Sequence, residues 1–439
     1  SAQWETGLGR ADLRGTAGSQ PVPTAGTRQV IVNLRSAFQA MGVPDLKKAG
    51  GRAEKKQRVK SLQDRFASRL AARSDIGAVR VKKRFSYVGA VVVTASESDI
   101  AALEQMEEVL SVEADVMVYP HTSQGLSLMN TARVRSAYTG QGIAVAVVDT
   151  GIDYTHAALG GGGFPNAKVI GGYDFGDGDT DPMDNHGHGT ACAGIAAGDA
   201  MASGDYAGGA APDAVLYALK ITAGSGGGAY TSDISAAIDW CIDHASDAVN
   251  PIKVISISYG GERYYSECDS QFSTMRRVIR NAAAAGITIF ASSGNEGYCD
   301  SMANPACMSG VISVGAVFDA NIGGGGFCVE PGSCADNQEA DDFCPSPAMI
   351  SWAYTTAADQ VAPYSNVAAF LDLMAPSHNT RTLAAGGGYR DGFGGTSAAC
   401  PYEAGVAACM QSALLVSGQD FLSPEDIRTK MAGSGEMIT

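Results

Sequence analysis

The sequence predicts an α/β fold, a parallel β-sheet flanked by helices with a small α+β domain ahead of it. Three observations carry that prediction. Continuous apolar runs at Ile143–Val148, Val215–Ile221, Val254–Ile257 and Ile287–Ala291 are the pattern of strands covered on both faces. Helical stretches alternate with them at Thr190–Ala197, Asp233–His244, Ser273–Ala285 and Ser397–Leu415. The charge also changes sign: residues 1–121 carry 18 Lys and Arg against 13 Asp and Glu, and the remainder 13 against 33. A basic leading part on an acidic body suggests two parts that attract each other.

Taken in order, residues 1–28 are rich in Gly, Thr and Pro without periodicity and read as a flexible leader. Residues 29–121 form the next unit. Val30–Leu34 reads as a strand, and Val59, Leu62, Phe66 and Leu70 line one face of a basic helix. Val79–Phe85 and Tyr87–Val93 read as two strands. Ile100, Leu103 and Leu110 mark a second helix with Ser98 as its cap, and Ser111–Val118 is extended again. The order β-α-β-β-α-β is the ferredoxin-like arrangement. From 122 to 439 the alternating pattern takes over, and a ligand site is expected at the carboxyl ends of the strands. The stretch from Phe318 to Asp359 breaks the alternation and reads as a long loop insertion.

With 439 residues, 45% of them hydrophobic, the chain can bury a large core. It contains no run of eighteen apolar residues, so no membrane-spanning helix is expected. Lys47–Arg84 is basic, but its charges alternate with an apolar stripe and carry no aromatic platform, which argues against nucleic-acid binding. All ten cysteines lie at or after position 192, a clustering that points to disulfides and an oxidising compartment. Cys192, Cys241 and Cys409 fall on apolar helical stretches and suit buried thiols. Cys299, Cys307, Cys328, Cys334 and Cys344 fall in polar loops, where at least two disulfides are expected, their pairing left open.

The chemistry is carried by Asp149, His188 and Ser397, each in a glycine-flanked turn. A serine hydroxyl is a poor nucleophile at neutral pH and needs a base to take its proton. His188 is the candidate base, and Asp149 the group that fixes its tautomer and steadies the imidazolium. Ser397 opens a helix, so its own N–H and the positive end of the dipole face a developing oxyanion. Asn295, after a strand, offers a second donor.

These segments resemble the subtilisin family of serine peptidases. The likeness rests on Asp149-Thr150-Gly151, His188-Gly189-Thr190-Ala191-Cys192-Ala193-Gly194, Ser293-Gly294-Asn295 and Gly395-Thr396-Ser397-Ala398-Ala399-Cys400-Pro401, and runs from about Leu126 to Ala432. It implies a secreted serine endopeptidase, acting as a monomer on protein or peptide substrates, with no cofactor required for the chemistry. It further implies that Gly226-Gly227-Gly228 and Ser258-Tyr259-Gly260 clamp an extended peptide, with Ser293 and Gly294 beside it. The preceding unit resembles the family's propeptide, a folding chaperone and inhibitor, with cleavage expected near Tyr119–Gln124. The chain departs from the family at Ala191, and at Ala158, where many relatives carry a calcium-binding aspartate. It ends soon after Lys430, so a further C-terminal piece is expected.

Three readings stay open beside this one. Asp174, Asp177, Asp179, Asp181 and Asp184 are the start of a structural calcium loop, a solvated acidic loop, or a lining of the cleft that favours basic side chains near the scissile bond; Pro182 replaces the glycine a calcium turn needs. His186 and His188 with Asp184 sketch a zinc hydrolase, without the ligand spacing of a zinc helix. A catalytically silent module is the third.

Overall fold

The computed structural model describes residues 27–35, 44–46, 48–77, 79–115, 117–120, 137–201, 206–340, 344, 349–378 and 380–435. Most of the expected leader, and residues 121–124 of the expected cleavage region, lie outside them.

The N-terminal part follows the predicted order: β1 (Thr27–Leu34), α1 (Ala49–Ala71), β2 (Arg80–Arg84), β3 (Ala90–Ser96), α2 (Glu97–Glu104) and β4 (Val109–Ala114). Its antiparallel sheet runs β2-β3-β1-β4. Successive side chains of the central strands point to opposite faces, so Val30, Val32, Val91 and Val93 share one face and pack with Leu62, Phe66 and Leu103. The cap of α2 is Ser96, whose hydroxyl accepts from the Asp99 N–H, rather than the expected Ser98. The difference is one of register: β3 continues to residue 96, so the chain turns there.

The second part is built on a seven-stranded sheet in the order β18-β14-β12-β10-β6-β8-β7. These strands are β6 (Ala144–Asp149), β7 (Val169–Asp174), β8 (Val215–Lys220), β10 (Ile252–Ile257), β12 (Thr288–Ser292), β14 (Val311–Val317) and β18 (Leu373–Pro376). Every pairing among them is parallel. Helices α3 (His188–Ala197), α4 (Thr231–Cys241), α5 (Ser273–Ala284), α6 (Thr396–Val416) and α7 (Pro424–Ser434) complete this part. The chain adds strands on one side of β6 and then on the other, so the order reverses between β6 and β10. A crevice forms at the carboxyl ends of the strands where such a reversal occurs.

The stretch expected to be a loop insertion is instead partly ordered as a small antiparallel sheet. It is made of β15 (Gly325–Val329), β16 (Gln338–Glu339) and β17 (Met349–Ala353). These strands are too short for a periodicity to stand out from the glycines around them. Disulfides join Cys268 to Cys307, Cys299 to Cys334 and Cys328 to Cys344, while Cys192, Cys241, Cys400 and Cys409 are buried thiols outside these disulfides. A hairpin of β19 (Thr380–Leu383) and β20 (Tyr389–Phe393) precedes α6. Among the described residues no helix is long and apolar enough to cross a membrane.

The two parts meet through hydrogen bonds that complete helix ends. The residues preceding α4 and α5, Tyr230 and Phe272, supply no side-chain cap. Orphan N–H groups at a helix start need an acceptor, and an anion there also meets the positive end of the dipole. The N-terminal part provides both. Glu113 accepts from Ser273 N (2.9 Å) and Thr274 N (3.0 Å) at the start of α5. Asp115 accepts from Ser232 N (2.7 Å) and Thr231 Oγ1 (3.1 Å) at the start of α4. Further along α4, Asp239 accepts from the backbone of Ser86 and Tyr87. Burial raises the Asp115 carboxyl above its ordinary range and pushes Asp239 up to about 7.

Candidate active site

Asp149 ends β6, fully buried, where the strand order reverses. One of its oxygens accepts from Thr150 N and lies 2.7 Å from His188 Nδ1. A carboxylate oxygen can only accept, so the proton sits on Nδ1 and the Nε2 lone pair is left as the base. His188 is the first residue of α3, and Gly189 lets the start of that helix press onto β6. A Cβ at 189 would stand 2.1 Å from the Gly151 carbonyl oxygen. Tyr259 and Phe393 pack their rings against the imidazole, with centroids 6.0 and 5.4 Å away.

The turn that delivers His188 is organised by Asp184, read above as part of an acidic loop. Its buried carboxylate accepts from Thr150 Oγ1, His186 N, Gly187 N, Thr190 N and Thr190 Oγ1, at 2.6–2.9 Å. Those five donors engage both of its oxygens, so Asp184 is not offered to a zinc ion between His186 and His188. The other acidic residues are also held by protein groups. Asp174 pairs with Lys220 at 2.6 Å, Asp177 accepts from Gly224 N, and Asp181 accepts from the Tyr154 hydroxyl. Local sequence could reveal only part of this: His186, Gly187 and Thr190 are near neighbours of Asp184, whereas Thr150 and Tyr154 follow β6, Lys220 ends β8 and Gly224 follows it.

Ser397 is the second residue of α6 and is buried. Pro401 stands one turn further on, and proline has no N–H to bond the Ser397 carbonyl. That carbonyl is satisfied from outside the helix by Ser258 Oγ at 2.9 Å and the Cys192 thiol at 3.6 Å. Cys192 Sγ is also 3.8 Å from His188 Nδ1, so one sulfur touches both His188 and the Ser397 backbone. Burial pushes that thiol well above its ordinary value and keeps it protonated. Asp149, His188 and Cys192 are also the one group, among the described residues, close enough together to hold a metal ion.

Asn295 stands beside Ser397. Its Oδ1 accepts from Thr396 N (2.8 Å) and Thr396 Oγ1 (3.1 Å). With the amide oxygen fixed there, the NH2 group remains as a donor. Ser293 and Gly294 precede it on a buried loop, with Gly294 N donating to Thr396 Oγ1. Behind this loop lies Asn366, which the sequence reading missed and no motif marks. It accepts from Glu296 N and Tyr298 N and donates to Ser293 O.

The strand β5 (Met117–Pro120) crosses the front of the site. It lies in a second sheet, ordered β13-β11-β5-β9, with β9 (Ala229–Tyr230), β11 (Tyr259–Tyr264) and β13 (Met302–Asn304). On one side Tyr259 and Gly260 face Pro120 and Tyr119; on the other Ala229 and Tyr230 face Val118 and Met117, all antiparallel. Ser258 directly precedes this pairing. Gly226, Gly227 and Gly228 lie in the loop leading into β9, and the pairing itself falls on Ala229 and Tyr230. The chain's own segment therefore fills a slot with backbone edges on both sides.

Residues 140–434 match the model of the Subtilase family. The chain is 30% identical over 370 residues to Subtilisin NAT of Bacillus subtilis subsp. natto, covering 82% of this chain and 81% of that protein. It is 30% identical over 387 residues to Subtilisin J of Geobacillus stearothermophilus, covering 86% and 84%. Serine protease AprX of Bacillus subtilis (strain 168) is 33% identical over 298 residues, 66% of this chain and 60% of that protein.

Proposed function

This chain belongs to the subtilase family, and from that premise we propose that it is a secreted zymogen whose N-terminal domain, residues 29–121, assists folding and blocks the cleft until it is cut away. The chain is a serine endopeptidase, and its chemistry needs no cofactor.

Under this reading Ser397 Oγ attacks the carbonyl carbon of the scissile peptide while His188 Nε2 takes its proton. Asp149 holds the imidazole through Nδ1. The negative charge on the carbonyl oxygen is met by Asn295 and the Ser397 N–H at the start of α6. His188 then returns the proton to the leaving amine, and water releases the acyl group by the same steps in reverse. Extended substrates lie between β9 and β11, bonding through their main chains. The acidic residues from Asp174 to Asp184 are read as protein-paired carboxylates rather than a calcium loop, and the active unit as a monomer. Secretion is supported by three disulfides, which persist in oxidising compartments.

The observation that carries the zymogen reading is the placement of Met117–Pro120 between β9 and β11, one residue from Ser258. The test is expression of the full chain beside its Ser397→Ala variant. The parent is expected to separate into two fragments and to be labelled at Ser397 by a sulfonyl fluoride, with or without a chelator. The variant is expected to stay intact and inactive. Fragmentation of the purified variant would sink the reading.

A further inference from the structure

Asn295 can serve as an oxyanion donor only if the loop carrying it is held still, and the structure holds that loop from two sides. The inner side is Asn366, described above. The outer side is the small sheet of the insertion, specifically the turn between β15 and β16. Glu330 N donates to Glu296 O at 2.9 Å, and Cys334 N donates to Gly297 O at 3.0 Å. Two consecutive carbonyls directly after Asn295 are thus taken by one turn, and the Cys299–Cys334 disulfide fastens the same turn two residues on. Contact is close. Gly297 has φ 76°, and a Cβ there would meet Val329 Cγ1 at 3.1 Å and Ser333 Cβ at 3.2 Å. The turn is itself anchored, because Phe327 in the middle of β15 packs against Phe318, Tyr364 and His378.

We propose that the turn Glu330–Cys334 is a positioning element for Asn295, and that the Cys299–Cys334 disulfide makes this positioning dependent on oxidation. The inference rests on the reading of Asn295 as an oxyanion donor. Oxyanion stabilisation acts on the transition state, so loosening the turn lowers kcat and leaves KM nearly unchanged. Among the described residues the buried Cys268–Cys307 disulfide makes no hydrogen bond to Asn295, Glu296 or Gly297, which makes it the control.

The experiment uses the mature enzyme and a peptide anilide substrate. The Cys299→Ser/Cys334→Ser variant is expected to lose about tenfold in kcat, less than the 10²–10³ of losing the donor itself. Asn295→Ala should then cost less in that background than in the parent, a coupling that a merely structural disulfide would not produce. The Cys268→Ser/Cys307→Ser control should lower Tm and leave kcat at the assay temperature unchanged. In a parallel arm, a dithiol reductant supplies two electrons and two protons, becomes a cyclic disulfide, and leaves Cys299 and Cys334 as thiols. Thiol labelling at these two positions should track the same fall in kcat, so the test stands even where the double variant folds poorly. An unchanged kcat after this reduction, or an undiminished cost of Asn295→Ala, overturns the proposal. Failure of the underlying reading looks different: Asn295→Ala alone would leave kcat intact.

Discussion

Ser258 and Ser397 exchange hydrogen bonds in both directions: Ser258 Oγ donates to the Ser397 carbonyl at 2.9 Å, and Ser397 Oγ donates to the Ser258 carbonyl at 3.2 Å. The first bond replaces the helical one that Pro401 cannot supply. The second ties the Ser397 hydroxyl to the residue preceding β11. Ser258→Ala should therefore lower stability by about 1–3 kcal/mol, the cost of a buried acceptor losing its main partner. It should also reduce kcat/KM. Thermal unfolding and peptide hydrolysis would check both, and an unchanged Tm would count against this account of the Pro401 position.

Asn295→Ala should lower kcat by about 10²–10³ with little change in KM, the magnitude typical of losing one oxyanion donor. Thr396→Val removes one of the two bonds that orient the Asn295 amide while sparing the backbone N–H. Its loss in kcat should be smaller, about tenfold or less. Equal losses in the two variants would mean that Thr396 does more than orient Asn295.

Glu403 gives the folded enzyme a stability that depends on pH. It is buried on α6, and burial pushes its carboxyl from 4.5 up to about 8. The folded chain therefore holds more protons than the unfolded chain between these values. The stability is fully present below about pH 4.5 and is lost as pH rises through 8, by an amount on the order of a few kcal/mol. Asp239 slopes the same way up to about 7, so a Glu403→Gln variant is needed to separate the two. That variant should unfold later than the parent at pH 8–9. Denaturation curves running parallel from pH 5 to 9 would exclude the effect.

Glu113 should matter more to the full chain than its half-buried position suggests, because it caps α5 from another part of the molecule. Glu113→Ala leaves Ser273 N and Thr274 N without that acceptor, at a cost of about 1–2 kcal/mol. Glu113→Gln, which keeps an acceptor but loses the charge, should fall between. Denaturant unfolding of the intact Ser397→Ala chain measures this without interference from cleavage.

Much of the fold was legible because it is written in local patterns. Apolar runs of four to seven residues marked β6, β8, β10 and β12, and the β-α-β-β-α-β order read in residues 29–121 marked the N-terminal unit, whose sheet order β2-β3-β1-β4 the structure then supplied. The segments around Asp149, His188, Asn295 and Ser397 stood out because each needs small residues for close backbone approach, as Gly189 illustrates. The β-strands of the insertion left no clear pattern because they are only two to five residues long.

The sequence by itself determined the alternation that builds the sheet and singled out the residues proposed to bear chemistry, since both depend on neighbours a few positions apart. Only the tertiary structure decided who holds them. Asp184 fixes the turn before His188, Asn366 and the Glu330–Cys334 turn fix the loop of Asn295, and Ser258 completes the helix of Ser397. The cysteine pairing and the caps from Glu113 and Asp115 belong to the same class. Each joins residues tens to more than a hundred positions apart in the chain, apart from the local Asp184 turn. A hydrogen bond or disulfide across such a span leaves no period in the sequence, because its partner is chosen by how the layers pack.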